Sequence, residues 1–461
     1  MSATIAATEE RAALERIAEG VARLASSAPE VDLPADERVR RAKRVFIEKT
    51  DARVALDLES CLHCGMCAEA CHFYEGTGQG RYAPIHKLKL LRKVYRRELG
   101  PFRLIQRLLT RDLTVAELEQ WQELVFDSCT ECGRCDMICP VGVHLSRGVH
   151  ITRQALTAAG LAPAELRALD AEQKSTGAIL GAGVEKLRSA LEELRSQGIE
   201  APLDKPQAEY LLLTTASDLL IYHRSLAATA RIMNHLGLDW TFASSGFEAA
   251  NSGAVSGDET AQRQATQRVV DAALACGAKF VVVPECGHAY PALRWEGPNQ
   301  VGRAFPFQVL AISELIGREL ESGRLRLKPL GPGKRVTFHD PCKFGRKGGV
   351  IDEPRKALAA LEVDLRETES KGTTNYCCGG GGGVFFIGRA APLRNAAFNI
   401  KRKQFDATGA DSVVTSCGSC RMNFAVGAQR NNWNVPVESL VELVADGLAA
   451  PGPATDRGSV V

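Results

Sequence analysis

No run of about 18 consecutive apolar residues, the length a helix needs to cross a bilayer, occurs in this sequence, so no transmembrane span is expected. Nor is one sign of charge in excess. The 57 Lys and Arg stand against 55 Asp and Glu, a net charge of +2 that excludes bulk binding to nucleic acid or to a membrane surface. The N-terminus carries Glu9, Glu10 and Glu15 and lacks the continuous apolar core of a secretory signal. Phosphate-binding signatures are missing too. The glycine run 379–383 has no following Lys-Ser/Thr, and GAGVEK at 181–186 lacks the third glycine of a dinucleotide fingerprint. What is left is a 461-residue chain with 45% hydrophobic and 24% charged residues, the composition of a globular protein of two or three domains.

Cysteine is the residue present in excess. Of 15 cysteines, 13 fall into three ordered groups, leaving Cys276 and Cys286 outside them. A disulfide framework belongs to small secreted chains with poor cores, so clustered C-x-x-C spacing in this chain points to metal in a reducing, cytoplasmic compartment. The pattern C-x-x-C-x-x-C-x-x-x-C occurs twice, at Cys61, Cys64, Cys67, Cys71 and at Cys129, Cys132, Cys135, Cys139. Three thiolates with two-residue spacers wrap one corner of an iron–sulfur cube. The fourth, after a longer spacer, reaches a neighbouring cube. Cys139 is therefore expected to complete a first cubane [4Fe–4S] cluster with Cys61, Cys64 and Cys67, and Cys71 a second with Cys129, Cys132 and Cys135. Gly65 and Gly133 follow the second cysteine of each run, where the chain turns around sulfide. A four-cysteine zinc site is the competing reading. His63 and His72 are expected beside the clusters or at the surface.

The pattern along the chain predicts a helical N-terminal arm (1–54), a two-cluster ferredoxin-type domain (55–160), a helical linker (161–208), two α/β domains (209–330 and 331–447) and a disordered tail (448–461). The segment HKLKLLRKVYRREL is expected as a basic amphipathic helix with Lys87 and Arg92 off its apolar face. Strands are expected at 210–215, 279–285, 335–340 and 412–416, alternating with helices, which implies largely parallel sheet. The α/β region repeats. Ser217, Asn251-Ser252 and Cys286-Gly287 in the first copy stand where Cys342, Cys377-Cys378 and Cys417-Gly418 stand in the second, with Ala289 in the place of Cys420.

Cys342, Cys377, Cys378, Cys417 and Cys420 follow predicted strands or sit in glycine-rich loops, and loops at the C-terminal ends of parallel strands converge. Five converging thiols call for a third metal centre. His339, Lys343, Arg346 and Lys347 flank it as proton donors or as holders of an anionic thiol. Cys276 is expected to be structural. Cys286 is read as a free core thiol, with a redox or substrate-facing role as the alternative.

The combined pattern resembles the heterodisulfide reductase-like iron–sulfur family, a two-cluster ferredoxin module followed by two CCG domains. The stretch CHFYEGTGQGRYAPIHKL is most similar to the branch of membrane-complex catalytic subunits, including the sulfite-reduction-linked iron–sulfur subunit. The resemblance implies an α+β multidomain fold, a mainly helical two-[4Fe–4S] ferredoxin-like domain followed by a duplicated α/β CCG domain. It also implies a noncubane [4Fe–4S] cluster held by Cys342, Cys377, Cys378, Cys417 and Cys420, with the first CCG copy empty. The expected function is an oxidoreductase subunit passing electrons through two cubanes to a centre that reduces or oxidises a disulfide or thiol, with Lys343 and Arg346 assisting. The alternative is an electron relay between a flavoprotein dehydrogenase of the glycolate, lactate or glycerol-3-phosphate type and a quinone-linked membrane partner. Expected partners are a membrane cytochrome or quinone-reactive subunit or a flavoprotein, with a protein or small-molecule disulfide as substrate and no nucleic acid. Any membrane association is expected through a partner on the inner face.

Overall fold

Asp51 starts the helix that leads into the first cysteine run: its carboxylate accepts the Val54 N–H at 2.9 Å and caps Ala52–Ser60. The computed structural model describes residues 2–28, 30–331 and 333–449. Its first part is helical. Helices Ser2–Ser27 and Ala35–Lys49 precede the first cysteine run. A Thr114–Glu117 capping box opens Val115–Gln122, and Leu145–Ala158 follows the second run and packs on Ala35–Lys49.

The expected basic helix is broken instead into Pro84–Lys87, Lys89–Val94 and a π-helical turn, Tyr95–Leu99. Two of its cations point inward. Lys87 is buried against the Ser128 carbonyl, and Arg92 reaches His63 and the Leu58 carbonyl. Periodicity places these residues off the apolar face, but the break in the helix turns them towards the cysteine loops.

Among the described residues, eight short strands form two sheets. In the first, β1 (Tyr210–Leu212), β2 (Trp240–Thr241), β3 (Phe280–Val283) and β4 (Gln308–Ala311) lie in the order β2-β1-β3-β4. In the second, β5 (Arg335–His339), β6 (Asp364–Leu365), β7 (Ser412–Thr415) and β8 (Val437–Ser439) lie in the order β6-β5-β7-β8. All pairs are parallel, for example Val282 with Leu310 and Phe338 with Val414. The two apolar central strands of each sheet are those the sequence predicts; β2, β4, β6 and β8 are edge strands of two to four residues.

The sheets meet at the C-terminal ends of their central strands. Gly418 N–H donates to the Glu285 carbonyl at 2.7 Å, and the Glu285 carboxyl receives Ser439 Oγ at 2.7 Å and Val441 N–H at 3.1 Å. Arg153, fully buried, ties the helical part to both sheets by donating to the carbonyls of Val125, Cys129, Val255 and Gly382. No helix among the described residues is long and apolar enough to cross a membrane. The tail expected to be disordered lies, from residue 450, outside the described residues, while Leu448 still pairs with Leu327.

Candidate iron–sulfur and thiol site

The three cysteine groups line three cavities. Cys61, Cys64, Cys67 and Cys139 surround one of about 20 Å3, and Cys71, Cys129, Cys132 and Cys135 surround one of about 30 Å3. The last cysteine of each run thus lies in the cavity of the other run. Gly65 (φ 81°) and Gly133 (φ 74°) are left-handed, a conformation that admits glycine without cost. Four thiols around each cavity fit a cubane cluster.

The third group gathers where the sheets meet, around a largely apolar cavity of about 80 Å3. Cys342 follows β5, Cys417 follows β7 and stands at the N-cap of helix Gly418–Arg430, and Cys420 lies in that helix's first turn. Cys342, Cys378, Cys417 and Cys420 line the cavity, and Cys377 lies behind, 3.8 Å from Cys342. The N–H groups of Gly379 and Gly380 point at Cys377 and Cys378 Sγ, each at 3.4 Å, the donors an anionic sulfur ligand needs. Gly382 (φ 59°) lets this loop close on the second cysteine run, since a Cβ there would stand 2.8 Å from the Thr130 carbonyl oxygen. All five cysteines are buried, whereas Cys64 is exposed. Cys132 shares one buried cluster with Cys342, Cys377, Cys378, Cys417 and Cys420, so the second and third groups are contiguous.

Charged residues sort into different roles. Lys343 lines both the thiol cavity and an adjoining polar cavity of about 180 Å3 that Arg147, His150 and Lys347 also line. Its Nζ is 3.7 Å from Glu131. Burial pushes the Glu131 carboxyl up, but Arg153 and His150 outweigh it and hold the group well below the usual carboxylate range. Arg346 lines neither cavity. Its guanidinium donates to the carbonyls of Cys132 (2.8 Å), Thr373 (2.7 Å) and Asn375, fastening the two cysteine regions together.

Several residues of the site carry no motif. His339 is fully buried within reach of Cys378 and Cys420. His72 is buried, not at the surface, and lines the second cysteine cavity with neither ring nitrogen hydrogen-bonded. Lys401 is buried in helix Ala391–Thr408; burial pulls its ammonium down to about 7 against the opposing pull of Asp340 and the cysteines, and its Nζ holds Asn375 Oδ1 at 2.7 Å. Nothing in the sequence around Lys401 marks it, because its burial comes from packing between distant segments. Cys286 lines the thiol cavity, with Sγ 3.6 Å from His288 Nδ1. Because His288 Nε2 accepts the Asn251 N–H at 3.2 Å, the ring proton sits on Nδ1 and faces that sulfur. Cys276 is buried at the end of helix Glu259–Ala275, as expected.

Comparison with known proteins agrees with this layout. The family described as 4Fe-4S dicluster domain matches residues 57–143, and the family described as Cysteine-rich domain matches residues 336–425. The chain is 26% identical to one of the subunits of dihydromethanophenazine:CoB–CoM heterodisulfide reductase from Methanosarcina barkeri, over 89% of this chain and 98% of that one. It is 24% identical to the Hdr-like menaquinol oxidoreductase iron-sulfur subunit of Archaeoglobus profundus, over 85% and 79% of the two chains. A probable membrane-anchored ferredoxin of Chromohalobacter salexigens is 30% identical over 71% of this chain and 49% of its own length. The chain thus carries a dicluster ferredoxin domain and a cysteine-rich domain on one polypeptide, and along most of its length it is similar to heterodisulfide reductase and Hdr-like iron-sulfur subunits.

Proposed function

We propose that this chain is the electron-transfer subunit of a heterodisulfide reductase-like oxidoreductase and that its third cysteine group is where a disulfide is reduced or a thiol oxidised. The observation that carries this reading is the buried cluster that Cys132 shares with the five cysteines of the third group, which joins the second cysteine run to the thiol cavity. Cys61, Cys64, Cys67 and Cys139 would hold one cubane cluster, Cys71, Cys129, Cys132 and Cys135 another, and Cys342, Cys377, Cys378, Cys417 and Cys420 a noncubane [4Fe–4S] cluster. When bound, such clusters supply one-electron storage and transfer.

The chain's own residues supply the rest. The exposed Cys64, beside exposed Leu62 and Val141, makes the first group the point of electron entry. The apolar cavity wall excludes water from the reacting sulfurs. Lys343, between the apolar cavity and the polar one, is placed to hold an anionic end of the substrate. Cleaving a disulfide takes two electrons from the redox partner and two protons, releasing two thiols. The neutral His288 ring, whose ordinary basicity burial and Lys343 lower to about 4, fixes the Cys286 side of the cavity.

We read residues 209–330 as a degenerate copy of the CCG domain at 331–447. The support is the matching strand order of the two sheets and the cavity-facing Ser217 and Ser252 at the positions of Cys342 and Cys378. The menaquinol and dihydromethanophenazine named for the relatives favour a quinone-linked membrane partner on the cytoplasmic side over a flavoprotein.

The test is to reduce the cluster-loaded protein anaerobically and mix it with an anionic disulfide. This reading predicts reoxidation of the cubane resonance signals, lost in Cys378→Ala while those signals still form on reduction. A pure relay to a flavoprotein predicts no reoxidation by any disulfide.

A further inference from the structure

The helix Arg103–Leu109 buries none of its residues. Phe102, Leu104, Ile105, Leu108 and Leu109 are all exposed, Leu104 at 71% and Leu108 at 88%. Scattered exposed leucines need no explanation, but five large apolar side chains within eight residues form a patch that water disfavours. Arg103, Arg107 and Arg111 are interleaved with them, and no acidic residue lies between Gly100 and Arg111.

The base of this projection is firmly held. Arg107 pairs with Glu98 at 2.5 Å, Lys43 pairs with the same carboxylate at 2.6 Å, and Arg97 donates to the Arg107 carbonyl at 3.0 Å. The tip is therefore presented by a fixed support. Arg103 and Arg111 have no ion-pair partner among the described residues. A convex, cationic, apolar tip of this kind matches an anionic bilayer surface: apolar side chains enter below the headgroups while arginine stems lie along them and keep their charges at the phosphates.

We propose that Phe102–Leu109 is a lipid-contact finger that seats in the headgroup layer of an anionic bilayer. It goes beyond the redox reading, because it gives this chain its own membrane contact independent of a partner subunit. The π-helical turn Tyr95–Leu99 packs along the finger, and Arg92, just before it, contacts His63 between Cys61 and Cys64. Seating the finger thus brings the first cysteine group close to the bilayer, where a membrane-bound redox partner works.

The experiment is flotation of the full-length, cluster-loaded chain with vesicles of equimolar phosphatidylcholine and phosphatidylglycerol, and with phosphatidylcholine alone. The expected result is binding to the anionic vesicles that weakens as salt rises and falls roughly tenfold or more in the Leu104→Ser/Leu108→Ser double variant. Iron content and visible spectrum of that variant stay as in the wild type, since neither side chain packs inside the protein. Wild-type protein that fails to float, or a double variant that floats equally, overturns the proposal. So does patch-dependent self-association or capture by a membrane protein without vesicle binding, which assigns the patch to a protein surface instead.

Discussion

Cys132 of the second cysteine run and Cys377 of the third group lie in one buried cluster, and Arg346 donates to the Cys132 carbonyl at 2.8 Å. Residues 245 positions apart in sequence are thereby held together by one guanidinium that also takes the Thr373 and Asn375 carbonyls. Arg346→Met leaves those carbonyls unpaired and is expected to cost about 2–4 kcal/mol of stability, measured by thermal or denaturant unfolding. It is also expected to slow electron passage between the groups while leaving substrate binding unchanged, the pattern of a positioning residue.

The crossed placement of Cys71 and Cys139 has its own signature. Cys139→Ser and Cys64→Ser should remove the same paramagnetic signal, and Cys71→Ser and Cys135→Ser should remove the other. Paired loss of Cys139 with Cys135 would assign each cube to a single run.

Lys401 places an amine behind the third group that is a cation below about pH 7. A nearby positive charge stabilises the more reduced, more negative state of a cluster. Below that pH, Lys401→Met should lower the midpoint potential of the third centre by tens of millivolts, a tenfold shift in equilibrium being about 59 mV for one electron. The cubane potentials should stay in place in the same redox titration.

Glu248 gives a pH dependence. Burial raises its carboxyl from 4.5 to about 8, while its oxygens accept the Ala216 and Ala250 N–H groups at 3.1 and 2.8 Å. The folded state therefore keeps the group protonated where the unfolded chain ionises it. Its stabilising contribution is full below about pH 4.5 and is lost at roughly 1.4 kcal/mol per pH unit up to about pH 8. Glu248→Gln cannot ionise, so its unfolding free energy relative to wild type should rise between pH 5 and 8.

The three cysteine-lined cavities were legible in the sequence because metal spacing is local and sulfur-rich loops follow apolar strands. The central strands β1, β3, β5 and β7 were legible for the same reason, as continuous apolar runs. What escaped was decided by packing across the chain. Lys87 and Arg92 read as solvated charges yet turn inward where their helix breaks, and Lys401 reaches the third cysteine group only through tertiary contact. Arg346 sits next to the right cysteine but faces the backbone that joins two regions rather than the cavity. The edge strands were too short to carry a period.

The five buried cysteines are proposed to hold a third cluster beyond the two cubanes. Iron and sulfide analysis of anaerobically reconstituted protein, with the Cys378→Ala/Cys420→Ala variant alongside, tests this proposal most directly. About twelve irons per chain are expected, falling to about eight in the variant with both cubane signals kept. Eight irons or fewer in the wild type, or an iron content the variant leaves unchanged, would contradict it.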